Sequence, residues 1–266
     1  MKKTALIITL IMFAFALFHI FILHDSGEFV EGDLYEEIMQ RGKIKIGVSH
    51  ESEPFAYTDE KGNLVGYDVD LAKYIAQYIV KNREAVEIIP ILSSERLIKA
   101  STGEVDIVIS TLTITPQREE LVSFSIPYDV AGQAVMVKKH SEIRSISDLG
   151  GQNVGVIFGT TAEKNMPNLV PTANLRGFKT YKDAYRALKS GGINAITSDD
   201  TILSGFVFKD SSVKLLPKRY SKEPYGIAFK KGNSTKKLKE HIDFAIEDLQ
   251  NKNVITRLRK HWNVGI

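Results

Sequence analysis

The sequence predicts an α/β fold of two similar lobes, with the second lobe inserted into the first. Two observations support this prediction. After residue 42, the hydrophobic pattern switches repeatedly between the period of a strand and the period of a helix. A first strand–helix–strand–helix–strand series is complete near residue 111, and a second series starts near residue 134 without an intervening linker rich in Gly, Pro or Ser. Such a series predicts a largely parallel sheet with right-handed crossovers.

The first series consists of apolar runs and one amphipathic helix. Its elements are the strand 43–48, the helix 68–80, the strand 86–92, a helix with Ser93 or Ser94 as its N-cap that runs through Ala100, and the strand 106–111. One face of the helix 68–80 carries the apolar side chains Leu71, Tyr74, Ile75, Tyr78 and Ile79. The stretch "TLTITPQR" (111–118) then alternates threonine with apolar residues. This alternation predicts a strand end that Pro116 terminates, because proline has no N–H to donate.

The second series repeats this order, and the chain then returns to the first lobe. Its elements are the strand 134–139, a turn and strand within 145–159, the start of a helix at 160–166, the helix 181–190 that ends at Gly191 and Gly192, and the buried strand 193–198. A last strand at 225–231 precedes a long helix that continues toward Trp262. We therefore predict lobe one from 40–130 plus 226–266 and lobe two from 131–225.

Composition excludes several classes of protein. With 266 residues, 43% of them hydrophobic and 25% charged, the chain is globular and long enough for two cores. The formal net charge is only +3, and two of the positive charges, Lys2 and Lys3, lie in the leader, so nucleic-acid binding is not expected. The absence of cysteine excludes disulfides, thiolate metal sites and a cysteine nucleophile. No pattern predicts a metal or another cofactor.

The first residues predict export from the cytoplasm. Two lysines precede about 20 mostly apolar positions, and this run is long for a cleaved signal but sufficient to span a bilayer. Residues 1–25 are therefore a signal peptide or an N-terminal anchor that would use residues 4–23, and both alternatives stay open. The predicted location is the periplasm or the outer face of the cytoplasmic membrane.

Polar residues follow the predicted strands of both lobes, at the sheet edge where open α/β sheets bind ligands. Arg118 can hold a carboxylate through two parallel N–H bonds, and the backbone N–H of Thr113 or Thr161 can add further donors. Thr161 also opens a helix, whose N-terminus favours negative charge. Asp199 supplies the opposite charge. An arginine that binds a carboxylate, with a nearby aspartate that binds an ammonium group, is typical of a binding site for an α-amino acid.

Simpler interpretations exist for the same residues. Arg118 could pair with Glu119 or Glu120 at a helix start, and adjacent aspartates such as Asp199 and Asp200 are common in turns and caps. Arg96 could be a solvated residue of a short helix. Spacing alone does not decide between these interpretations.

The chain from about 43 to 262 resembles the extracellular solute-binding proteins, family 3, of polar amino acid ABC transporters. The similarity is carried by "PFAYTDEKGNLVGYDVDLAKYIA", "STGEVDIVISTLTITPQREELVSFSIPY", "VGVIFGTTAE", "INAITSDDTIL" and "PYGIAFKKG". It implies a periplasmic-binding-protein-like fold with a hinge and an interlobe cleft, a monomer, and the membrane subunits of a transporter as partner. In this family the arginine matching Arg118 clasps the ligand carboxylate, helped by Thr113 and the turn with Thr160 and Thr161. Positions matching Thr111 and Asp199 take the α-amino group.

The resemblance extends to the ligand side chain. The segment 93–106 is similar to the glutamate- and aspartate-binding branch, where residues matching Arg96 and Ser93 bind the distal carboxylate. Two departures are Ser49, where that branch has a second basic residue, and Ser52, where many members have an aromatic ring. An acidic ligand and an amide ligand therefore both stay open, whereas Arg96 would repel a cationic one.

The predicted function is binding of a polar L-amino acid by hinge closure and its delivery to an ABC transporter. Two alternatives come from the same fold: an exported dehydratase of the cyclohexadienyl type, and a ligand-sensing subunit for a signalling partner. The sequence has no Ser-His-Asp set, metal cluster or paired carboxylates, so we predict no enzymatic activity.

Overall fold

Two five-stranded sheets organise the computed structural model, which describes residues 32–264. The predicted signal peptide or anchor at 1–25 lies outside the described residues. Within 32–264, no helix is both long enough and apolar enough to cross a membrane.

The first sheet has a parallel core. Its strands are β1 (Ile44–Ser49), β5 (Val86–Ile91), β6 (Ile107–Val108), β7 (Val122–Phe124) and β15 (Ala228–Lys230), in the order β5-β1-β6-β15-β7. Strand β1 runs parallel to both β5 and β6, and β15 runs antiparallel to β6 and β7. The C-terminal part of the chain therefore completes a sheet that the first part begins, as an insertion requires.

Helices and a small sheet surround these strands. The helices are α1 (Leu34–Arg41), α2 (Tyr67–Val80), α3 (Arg96–Thr102), α4 (Pro116–Glu119), α8 (Lys236–Asn251) and α9 (Val254–His261), and the small sheet contains β2 (Glu51–Ser52), β3 (Ala56–Thr58) and β4 (Leu64–Val65). In α2, the predicted apolar stripe is fully buried at Leu71, Ile75 and Ile79. Burial of this face, more than helix propensity, fixes the helix against the sheet.

The second sheet is mixed. Its strands are β9 (Gln133–Lys138), β10 (Asn153–Ile157), β11 (Asn174–Phe178), β12 (Ala195–Asp199) and β13 (Val213–Leu215), and its helices are α5 (Thr161–Leu169), α6 (Tyr181–Ser190) and α7 (Asp200–Lys209). Strand β10 is parallel to β11 and β12, whereas β9 is antiparallel to β12 and β13. The predicted α/β fold of two lobes is confirmed.

Two short strands link the lobes. Strands β8 (Asp129–Ala131) and β14 (Glu223–Tyr225) pair antiparallel where the chain was predicted to cross. The lobe ranges 40–130 with 226–266 and 131–225 stay a prediction.

The stretch "TLTITPQR" is not the end of a strand. Thr113 forms only an isolated bridge with Tyr225, and Pro116 begins the short helix α4. The N-cap is Thr115, whose hydroxyl accepts from the backbone N–H of Arg118 at 3.3 Å. Proline is favoured at the first helical position because its missing N–H would have no helical partner there. The predicted strand was therefore wrong, and the proline marks a helix start.

Other predicted boundaries also differ, and the predicted strand 106–111 is only the short β6 (Ile107–Val108). Helix α3 has Glu95 as its N-cap instead of Ser93 or Ser94, since the Glu95 carboxylate accepts from Leu92 N–H and forms a turn before the helix. The predicted strand 225–231 is divided between two sheets. The C-terminal helix breaks at Asn253, which has a φ of +57°.

Candidate functional site

Arg118 joins the "TITPQR" segment of lobe one to the "FGTT" turn of lobe two. Its side chain is buried, with the residue only 3% exposed. Nη1 donates to the carbonyl of Thr113 at 2.7 Å, and Nη2 donates to the carbonyl of Gly159 at 3.0 Å. The structure therefore brings together two segments that are about 40 residues apart in the chain.

Arg96 lies beside Arg118 and contacts the same turn. Nε donates to the carbonyl of Ser93 at 2.8 Å, and Nη2 donates to the carbonyl of Gly159 at 3.2 Å. Nη1 donates to the carbonyls of Ser110 at 2.9 Å and Thr111 at 3.1 Å. Four of the five N–H donors of this guanidinium are thus hydrogen-bonded to backbone carbonyls. The simpler interpretation of Arg96 as a solvated residue is wrong, because it is only 3% exposed.

The two adjacent aspartates have different partners. Asp199 ends β12, and its carboxylate accepts from the hydroxyl of Tyr225 at 2.6 Å. Asp200 accepts from the backbone N–H of Gly132 at 3.0 Å and from Nε of Arg219 at 2.8 Å. Asp200 therefore ties α7 to the crossing between the lobes, and Asp199 remains at the strand end.

Three buried charges of the site have no ion-pair partner. Among residues 32–264, no carboxylate lies within 4.0 Å of Arg96 or Arg118, and no Lys, Arg or His lies within 4.0 Å of Asp199. Burial, followed by the neighbouring Arg96 cation, lowers the pKa of Arg118 to about 10. Burial raises the pKa of Asp199 to about 6. Burial of such a charge has a large free-energy cost unless a partner of opposite charge or hydrogen bonds offset it.

The turn of lobe two is shaped by Gly159. This residue has a φ of +79°, and a Cβ there would lie 2.8 Å from the carbonyl oxygen of Ser93 and from the Cα of Ser94. Only glycine allows so close an approach in this conformation. The Thr160 hydroxyl caps α5 by accepting from the backbone N–H of Glu163 at 3.3 Å. Thr161 follows as the first residue of α5 and is buried.

Thr111 has an unusual backbone conformation. Its φ is +43°, in the left-handed region that β-branched residues rarely adopt. Its N–H lies 3.1 Å from a carboxylate oxygen of Asp68 and 3.1 Å from the hydroxyl oxygen of Tyr128. Asp68 was not predicted as part of the site. The available signal was a charged residue on the apolar face of α2, one turn before Leu71.

Two of the three predicted serines, Ser49 and Ser52, lie together on the lobe-one side. Ser49 and Ser52 are buried, and their hydroxyl oxygens are 2.9 Å apart. Ser93 contacts Arg96 through its carbonyl. His50, next to Ser49, has Nδ1 3.1 Å from the carbonyl oxygen of Ile91.

A cavity of about 480 Å³ lies between elements of the two lobes, and none of these three serines lines it. Side chains of His50, Glu51, Glu53 and Tyr57 line it from the lobe-one side, and side chains of α6 and α7 line it from the lobe-two side. Glu53 and Lys209 form an ion pair across it at 2.5 Å. The cavity therefore separates the same two lobes that meet at Arg118.

The sequence and the fold match a known group of proteins. The sequence profile of the bacterial extracellular solute-binding proteins, family 3, matches residues 44–265. The chain belongs to this family. Solute-binding proteins of family 3 act outside the cytoplasm, so the predicted family and an extracytoplasmic location are confirmed at this level.

Individual relatives support the same assignment. The chain is 37% identical to a glutamine-binding protein of Geobacillus stearothermophilus, over 72% of this chain and 74% of the relative. It is 33% identical to the ABC transporter glutamine-binding protein GlnH of Bacillus subtilis (strain 168), over 86% and 84%. An ancestral arginine-binding protein bound to glutamine superposes with a TM-score of 0.77 at 36% identity, covering 84% of this chain and 98% of that protein. These relatives are not named for glutamate or aspartate, the branch that the sequence suggested.

Proposed function

We propose that this chain binds a polar L-amino acid outside the cytoplasm and delivers it to the membrane subunits of an ABC transporter. One observation carries the proposal: Arg118 and Asp199 are buried charges of opposite sign that pair neither with each other nor with another charged side chain among residues 32–264. The α-carboxylate and α-ammonium of an amino acid supply the two missing partners. The attraction to such a partner, in good hydrogen-bond geometry, offsets the free-energy cost of burying the charge.

Binding is coupled to closure of the lobes. Arg118, Thr111 and Thr113 belong to lobe one, whereas Asp199 and the turn with Thr160 and Thr161 belong to lobe two. A ligand that contacts both sets of residues has more favourable interactions in the closed form than in the open one. It must therefore shift the population toward closure. The closed shape is then the form that the membrane subunits recognise.

We further propose an amide side chain for the ligand, with glutamine preferred over glutamate. Arg96, the residue expected to bind a distal carboxylate, donates to four backbone carbonyls instead. To bind a ligand carboxylate through more than one N–H, it would have to leave acceptors that are buried. Ser49, Ser52 and Ser93 provide neutral hydroxyl groups, which suit an amide.

We infer binding without catalysis. The buried charged groups of the site are held by backbone carbonyls and one tyrosine hydroxyl, which is an arrangement that suits binding. The dehydratase and the sensor subunit remain the alternatives, and the monomeric state remains a prediction.

A thermal-shift screen against the twenty amino acids tests the proposal. The full chain, purified in mild detergent and refolded to remove bound ligand, is expected to melt at a higher temperature with glutamine, because the ligand binds only the native state. Prephenate and arogenate are included as dehydratase substrates. A shift with glutamate and aspartate alone would overturn the amide assignment. No shift with any amino acid would overturn the function itself.

A further inference from the structure

We infer that Asp68 is a positioning residue for ligand binding, which holds the Thr111 turn in its binding conformation and acts through Thr111 and Arg96. This inference rests on the proposed function, since Thr111 is a residue of the proposed site and Arg96 holds its turn. Asp68 itself is fully buried in the first turn of α2.

The first step is the contact between Asp68 and the turn. One carboxylate oxygen accepts from the backbone N–H of Thr111 at 3.1 Å, and the other accepts from the hydroxyl of Tyr128 at 3.1 Å. The Tyr128 hydroxyl oxygen also lies 3.1 Å from the Thr111 nitrogen. The three groups thus form a closed triangle in the protein interior. Both donors require an acceptor, which an ionised carboxylate provides at both oxygens.

The second step is that these hydrogen bonds stabilise the strained backbone conformation of Thr111. Thr111 is a β-branched residue at a φ of +43°, a conformation that needs support from its surroundings. The Asp68 carboxylate binds the N–H of this very residue. Within the described residues, Asp68 has no Lys or Arg within 4.0 Å, so its hydrogen bonds to Thr111 and Tyr128 are its main compensation.

The third step links the turn to lobe two. With Thr111 in this conformation, the carbonyls of Ser110 and Thr111 both accept from Nη1 of Arg96. The same guanidinium donates through Nη2 to the carbonyl of Gly159 in lobe two. A continuous series of hydrogen bonds therefore runs from Asp68 through Thr111 and Arg96 to Gly159. Loss of the contact between Asp68 and Thr111 would therefore loosen Arg96, which donates to carbonyls of both lobes.

Electrostatics agree with this role. Burial raises the pKa of Asp68 to about 7, while the hydrogen bonds from Tyr128 and Thr111 act in the opposite direction and favour the carboxylate. Removing the charge without changing the shape is therefore the most direct test of the contact.

The test compares Asp68→Asn with Asp70→Asn in the full chain. Asp70 lies on the same helix, but its carboxylate accepts from Nε1 of Trp262 at 2.9 Å, away from the Thr111 turn. Glutamine binding is measured by calorimetry, and amide hydrogen exchange is measured for the segment 108–114. At pH 8, above the Asp68 pKa of about 7, we expect Asp68→Asn to weaken binding by about tenfold or more and to speed exchange at Thr111, because a hydrogen bond to a charged group is lost. Asp70→Asn should change neither quantity by more than about twofold.

A double-mutant cycle separates positioning from general destabilisation. Glycine adopts a positive φ without strain, so the loss caused by Asp68→Asn should be smaller in a Thr111→Gly background than in the parent. Equal losses in both backgrounds would overturn the inference. So would exchange that rises equally in β1 and β5, or a variant that binds and exchanges like the parent. If the parent binds no amino acid, the proposed function fails, and the exchange at Thr111 still decides the role of Asp68.

Discussion

Arg96 and Arg118 differ in how many of their donors the protein itself uses. Both side chains are buried, both residues are 3% exposed, and both donate to the carbonyl of Gly159. Arg96 donates to three further carbonyls, whereas Arg118 donates to only one, that of Thr113. A guanidinium has five N–H donors. Three of them therefore remain available to a ligand in Arg118, and one remains available in Arg96.

This difference teaches that burial of an arginine does not by itself mark a ligand contact. An arginine whose donors are satisfied by backbone carbonyls stabilises the fold around it, and one whose donors are incompletely satisfied is available for an anion. The comparison assigns ligand binding to Arg118 and support of the turns to Arg96.

The largest effect is expected from Arg118→Ala. The substitution leaves the ligand carboxylate without its partner, so we expect affinity for the amino acid to fall at least about 100-fold. Arg118→Lys should recover only part of the loss, because an ammonium cannot form two parallel N–H bonds to one carboxylate. Calorimetry of the full chain measures both. The control is Arg144→Ala, which removes an exposed arginine whose side chain pairs with Glu142. Parent-like affinity of Arg118→Ala would exclude Arg118 from the site.

Arg96→Ala should affect stability more than Arg118→Ala does. It leaves up to four buried carbonyls with one donor fewer, so we expect the free energy of unfolding to fall by about 2–4 kcal/mol. Urea denaturation without ligand measures the change, and Arg186→Ala, which removes an exposed arginine of α6, is the control. The opposite pattern, unchanged stability with a ligand preference that moves away from glutamate, would instead make Arg96 the residue that binds the side chain.

The sequence predicted those elements whose signals are local. Helix α6 has the predicted bounds 181–190, because Thr180 provides an N-cap and Gly191 adopts the left-handed C-cap conformation at a φ of +88°. The sequence also proposed Arg118 and Asp199 as ligand contacts, because the α/β pattern brings their segments to the ends of the sheets; both are buried, and their role in binding stays a prediction.

Features that depend on distant parts of the chain were not predictable in this way. The left-handed Thr111 is hydrogen-bonded to Asp68 and Tyr128, and threonine gives no local signal for a positive φ. Tyr225 reaches Asp199 only because two crossing strands place it beside β12. Local propensity contains no information on either arrangement.

A smaller effect is expected from Asp199, and it should differ from the effects of both arginines because it depends on pH between 5 and 7. Burial raises the pKa of Asp199 from 3.8 to about 6, and only the ionised carboxylate attracts an ammonium group. We therefore expect protonation of Asp199 alone to lower the affinity about tenfold between pH 7 and pH 5, and protonation of Asp68, whose pKa is about 7, to lower it further. The effect on unfolding has the opposite sign: this carboxyl stabilises the native state most below pH 3.8, and its contribution is lost as pH rises through about 6. Titration calorimetry across this range should show a flatter profile for Asp199→Asn, and an unchanged profile would contradict the assignment.

The smallest effect is expected from the exposed ion pair that spans the lobes. Lys209 pairs with Glu53 at 2.5 Å, but its side chain is 61% exposed, so solvent and salt screen the attraction. Lys209→Ala should weaken amino acid binding by less than about fivefold, which corresponds to at most about 1 kcal/mol. Raising the ionic strength should remove the difference between variant and parent, whereas the loss caused by Arg118→Ala should persist because that site is buried. A loss in Lys209→Ala that is large and independent of salt would mean that closure depends on the rim of the cleft more than on its buried charges.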